Sequence, residues 1–292
     1  MEGDPMGALS RATTVVLFFA VILSCLLATL GAVSADPVLD IVMGGQRRHF
    51  GRDELLKRPD IQRISVANDV AYGKPMDYVA IPLPSLLAGL NPPANSVIES
   101  LALDGFAAQI PADLLIANDP AKAIAWLAIE PDQPSWPVLP GRTQSAGPFY
   151  IVWTGPQVSK IRSEQWPYQL KSLESQQSPL ERWPALDVES TLPAADPVRA
   201  GLALFKTQCL PCHTLNGAGS STFGPDLNQP MNPTRYMTRE GLHALIRDPK
   251  TVRSWPTMQM PGFAADQMSD MEIDQVIGYL AYMATPRRDA SK

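Results

Sequence analysis

Five consecutive residues, Cys209-Leu210-Pro211-Cys212-His213, constrain this chain of 292 residues more than any other feature. Two thiols three positions apart on a tight turn reach the two vinyl groups of a porphyrin. The adjacent imidazole then falls under the iron as proximal ligand, so the pattern reads as covalent attachment of one c-type haem. Three other chemistries use paired cysteines. A thioredoxin-like pair needs a strand before the motif, and a helical pattern precedes it instead. Structural zinc needs four ligands; Cys209, Cys212 and His213 supply three, and no clear fourth follows nearby. A plain disulfide leaves His213 unexplained.

A second iron ligand is expected from the segment Trp255-Pro256-Thr257-Met258-Gln259-Met260-Pro261-Gly262-Phe263. Met260 is the expected distal ligand, because the proline after it stiffens the loop that must hold a thioether on iron. The competing reading is that Met258 and Met260 only fill space, as methionine often does. His243 sits mid-helix beside Leu242, at the surface or the haem edge, and His49 belongs to the other half of the chain.

Helical signals surround these residues. Asp196-Pro197 is an N-cap followed by proline at the first helical position. Val198, Leu202 and Phe205 follow at helical spacing. Thr238 opens a second helix that Asp248-Pro249 closes, and Ser269-Asp270-Met271-Glu272 is a capping box. After it Ile273, Val276, Ile277, Leu280 and Ala281 trace one apolar stripe. The expectation is an all-α domain over residues 194–292.

Residues Pro197–Met283 resemble a class I monohaem cytochrome c domain. The likeness rests on the Cys209–His213 motif, on Phe223-Gly224-Pro225-Asp226-Leu227, on Met260-Pro261-Gly262-Phe263 and on the terminal helix through Tyr279-Leu280. The resemblance implies that the Pro225 carbonyl accepts from His213 and fixes its tautomer. It also implies a close crossing of the first and last helices, with Gly201 and Phe205 on one side and Tyr279 on the other. A glycine inside a helix costs about 1 kcal/mol, which close backbone approach would justify.

The first half reads differently. Ile64–Val66, Tyr78–Ile81, Val97–Leu103 and Phe149–Trp153 are strand-like runs separated by Pro, Gly and Asn clusters. Pro84–Leu90 reads as a helical turn or two. The expectation is a β-rich α+β domain over residues 36–171. Ser172–Pro193, rich in Ser, Gln, Glu and Pro, reads as a linker over 172–193, with Trp183 docking on one domain. Proline, 29 of 292 residues, predicts many short elements.

Val66–Gln169 more faintly resembles the molybdopterin-binding domain of sulfite-oxidase-type enzymes. That likeness rests on Ile81–Leu87, Leu103-Asp104-Gly105-Phe106, Ile110-Pro111 and Gly147–Trp153. Such enzymes hold molybdenum through a cysteine thiolate, and this half contains no cysteine, so the resemblance implies the fold without the metal and no molybdenum is expected.

At the start, Arg11 and Asp36 bracket 24 uncharged residues that end in Ala32-Val33-Ser34-Ala35. Residues 1–35 read as a signal peptide, or as an uncleaved membrane anchor through residues 12–35. Either way the rest is expected to be exported, to the periplasm of a bacterium. A cleaved leader takes Cys25 with it, leaving only the two motif cysteines in an oxidising compartment.

Net charge −5 argues against nucleic acid as the main partner. Residues 36–193, with 18 acidic against 13 basic residues, and residues 194–292, with 9 against 10, name no partner by charge. The expected function is single-electron transfer between a periplasmic dehydrogenase and an oxidase or other cytochrome, with the first half used for docking. The alternative is a haem-containing oxidoreductase subunit with substrate or pterin chemistry in the first half. No catalytic residue is expected under the first reading.

Overall fold

Alternating burial marks the first strand. In Val38–Met43 (β1) Leu39, Ile41 and Met43 are fully buried and the residues between them are not. The computed structural model describes residues 36–93, 95–255 and 258–285, so the leader lies outside the described residues. The further strands are Gln46–Gly51 (β2), Gln62–Val66 (β3), Met76–Pro82 (β4), Val97–Ala102 (β5), Ala107–Pro111 (β6), Ile124–Ile129 (β7), Phe149–Thr154 (β8) and Leu170–Gln176 (β9). One sheet runs β2-β1-β9-β5-β6, the other β3-β4-β7-β8. β1 and β9 pair parallel; the other pairs are antiparallel. The two sheets share one apolar core, to which Ile41, Leu173, Ile81 and Val152 all belong.

Phe149 to Trp153 are all buried although β8 is the last strand of its sheet. The chain returns to cover that edge, and the Ile151 amide donates to the Pro167 carbonyl at 3.0 Å. Beneath it, Asp69 accepts from the Tyr78 hydroxyl at 2.8 Å and the Tyr150 hydroxyl at 3.3 Å. Burial raises the pKa of Asp69, and these bonds with the Tyr72 amide only partly offset it.

The segment expected as a linker over 172–193 differs. Its first five residues complete β9, which lies between β1 and β5, and Leu173 is fully buried. Pro179–Arg182 form a capped helical turn. Leu186 and Val188 are then buried in the helical core, with Trp183 packed against it. The polar composition hid this, because sparse apolar residues carry the burial.

The helical region follows. Pro197–Leu204 (α1) starts at Asp196, whose carboxylate accepts from the Val198 amide at 2.9 Å. Arg239–Arg247 (α2) is capped by Thr238, which accepts from the Gly241 amide at 3.0 Å. Asp270–Met283 (α3) has the expected capping box of Ser269 and Glu272. Gly201 is where α1 meets α3: a Cβ there would lie 2.1 Å from the Gln275 carbonyl oxygen and 2.8 Å from Tyr279 Cβ. The Phe205 and Tyr279 rings then pack with centroids 5.3 Å apart.

From Pro37 onward the chain is one compact unit, so the β-rich and helical regions touch. Arg162 spans the two, donating to the Gln267 carbonyl at 3.1 Å and to Glu272 at 2.6 Å.

Candidate haem site

The motif is set by the way α1 ends. Its last turn widens into a π-turn over Phe205–Cys209, with the Leu210 amide bonded to the Phe205 carbonyl at 2.8 Å. The chain then tightens. The Cys212 and His213 amides both donate to the Cys209 carbonyl, at 3.0 and 2.8 Å. This is the tight turn that the spacing implies.

Both thiols are free. Burial pushes the Cys209 thiol up to about 12, with the nearby Glu164 charge adding to it, and pushes Cys212 higher still. Among the described residues no cluster of three or more His, Cys, Asp or Glu could hold a metal ion.

His213 Nδ1 lies 2.8 Å from the Pro225 carbonyl oxygen. A carbonyl only accepts, so Nδ1 carries the hydrogen and Nε2 keeps its lone pair for a metal. Burial lowers the His213 pKa against the opposing pull of that bond and of Asp226, which favours the neutral, ligating form. Gly224 makes room for the ring: a Cβ there would stand 2.7 Å from His213 Nδ1 and Cε1. Asp226 fixes the loop behind Pro225, accepting from the Gly217, Asn228 and Gln229 amides at 2.7, 2.7 and 2.9 Å.

Met260 is partly buried against the helical core. Its loop is pinned just beyond it. The Phe263 amide donates to the Ile246 carbonyl at 3.3 Å, and the Arg247 guanidinium donates to the Phe263 and Met268 carbonyls. Gly262 permits this, since a Cβ there would lie 2.6 Å from the Arg247 carbonyl oxygen. The other histidines are engaged elsewhere: His243 Nε2 is 3.4 Å from Asp270 and His49 Nδ1 is 2.6 Å from Asp40.

A cavity of about 250 Å³ is lined by Cys212 and Phe223 on one side and by Gln259 and Pro261, the two neighbours of Met260, on another. The site therefore has two partly buried thiols on one turn, an oriented imidazole with a free nitrogen, a glycine where the ring needs space, and a cavity reaching the methionine loop. This donor set fits a covalently bound haem.

The β-rich region also reaches the motif. The Ala107 amide of edge strand β6 donates to the Pro211 carbonyl at 3.0 Å, and Ser221 donates to the Gly105 carbonyl at 3.2 Å. Sequence reasoning missed this contact and the role of Arg247. Backbone donors carry no sequence signal, and Arg247 reaches carbonyls 16 and 21 residues further on, which its place at the end of a helix does not announce.

No curated protein matches the chain. Residues 198–284 match the family model described as cytochrome c, within a residue at each end of the span that carries the resemblance; this part of the chain is a cytochrome c domain, which implies covalent haem c and haem-based electron transfer.

Proposed function

We propose that the protein is an exported monohaem c-type cytochrome that passes single electrons between a periplasmic dehydrogenase and an oxidase or other cytochrome. The observation that carries this reading is the 2.8 Å contact of His213 Nδ1 with the Pro225 carbonyl, beside two free thiols on the same turn. A haem bound there supplies a one-electron ferric–ferrous couple. The chain's own residues do the rest. Cys209 and Cys212 would tether the group, His213 and Met260 would supply its iron ligands, and the Pro225 carbonyl holds the imidazole's direction. A thioether and an imidazole as the iron's ligands would favour the reduced state, which suits a carrier that accepts from a dehydrogenase.

The β-rich region is the docking module in this reading. It has the faint sulfite-oxidase-type resemblance but no cysteine for molybdenum, and its edge strand already packs on the haem motif. Export follows from the apolar leader, cleaved or kept as an anchor.

The test is haem staining of the denatured chain. Wild-type protein made with an export route should retain its haem through denaturation, and the Cys209→Ala, Cys212→Ala double variant should retain none. Haem that leaves the denatured wild-type chain, or stays on the double variant, rejects the reading.

A further inference from the structure

The cavity between Cys212 and the Met260 loop is not enclosed by helical residues alone. Phe106, Arg142, Trp166 and Tyr168 line it too, and all four belong to the β-rich region, outside the residues matched to cytochrome c. Trp166 is buried. Trp166 and Tyr168 both stand against Tyr150, with ring centroids 6.4 and 6.2 Å away, and Tyr150 is anchored in the core through Asp69. This face of the cavity is therefore held by the β core rather than by a loose loop.

Arg142 gives it a positive charge. Its guanidinium donates to the Gln259 side chain at 2.9 Å, and both residues line the cavity, Gln259 being the neighbour of Met260. Asp104 and Glu164 line the same cavity.

We infer that the β-rich region is part of the haem site: Trp166 and Tyr168 exclude water from the edge of the haem beside Cys212, and Arg142 supplies the positive charge there. This rests on the haem reading above and goes beyond it, since a docking module need not touch the cofactor. Shielding an edge from water and placing a cation beside it both favour the less positive, ferrous state.

The decisive experiment compares amide spectra of full-length haem-loaded protein in its ferric and ferrous forms. The unpaired electron of ferric haem should shift the amides of Phe106, Arg142, Trp166 and Tyr168. It should leave those of Arg47 and Arg48 in place, because β2 lies four strand spacings, about 19 Å, across the sheet from β6. Unmoved amides at all four wall residues would overturn the inference while leaving covalent haem intact. A chain that carries no haem would instead reject the underlying reading. Separately, Arg142→Gln should raise the ferric-to-ferrous ratio at a fixed poise by about threefold, a size suited to an exposed, partly screened charge. Arg142→Lys should stay near wild type. An unchanged ratio in Arg142→Gln would remove Arg142 from the site.

Discussion

The Tyr279 hydroxyl donates to the Leu186 carbonyl at 2.6 Å, and both residues are fully buried. This bond ties the last helix to a segment 93 residues earlier and places that segment beneath the crossing of α1 and α3. Tyr279→Phe keeps the ring against Phe205 and removes only the bond. The expected loss is about 1–2 kcal/mol in denaturant unfolding of the haem-loaded protein. An unchanged midpoint would show that the bond contributes nothing net.

Gly201→Ala should cost more than its single methyl suggests. The obstacle is the Gln275 carbonyl, which is backbone and cannot rotate away. Separating the helices should cost about 2–3 kcal/mol. Gly278→Ala is the control, because a Cβ there meets nothing within 4 Å; it should be neutral or slightly stabilising. Equal effects of the two substitutions would contradict the crossing geometry.

Met260→Ala should abolish the near-red absorption of a thioether on ferric haem and lower the midpoint potential. Met258→Ala should do neither. The two loop methionines are separated only by Gln259, so exchanged phenotypes would move the ligand to Met258. A change seen only in His243→Ala would mean two imidazole ligands.

Acid should weaken the contact between the two regions in a definable window. Burial raises the Glu272 pKa, but the bonds from Arg162 and from the Ser269 cap outweigh it and hold the carboxyl below its ordinary 4.5. A lowered folded pKa means stability that is present above 4.5 and lost as pH falls through the folded value. Unfolding curves of wild type and Glu272→Gln should therefore diverge at neutral pH and converge in acid. A gap that stays constant with pH would assign the effect to packing.

Elemental analysis of the purified protein should find about one iron per chain and almost no molybdenum. Molybdenum in the sulfite-oxidase-type site needs a thiolate, a soft ligand that Ser or Asp does not replace. Molybdenum approaching the iron content would favour substrate chemistry in the β-rich region.

Local chemistry was the legible part of this chain. The caps at Asp196, Thr238 and Ser269 and the glycine at 201 each announce a backbone need that neighbouring residues reveal. The same holds for His213 and Pro225, whose contact follows once the resemblance places them. What the sequence hid was long-range. The Ser-, Gln- and Glu-rich residues from Ser172 read as a tether, yet the place of Ser172–Gln176 in the sheet is set by β1 and β5, which lie far earlier in the chain. The cavity wall was equally hidden: Arg142 sits in an exposed turn, and only the folded chain brings it to Gln259.

The position of β9 bears on how the protein is made. β1 emerges from synthesis about 130 residues before the strand that pairs with it, and β5 also waits for that partner. The larger sheet is thus a high-contact-order structure whose middle is filled last. A chain ended at residue 171 would present β1 and β5 as two unpaired edges, a template for self-association. The β-rich region has no natural stopping point before Gln176, and each molecule commits its sheet only when the helical region is about to follow.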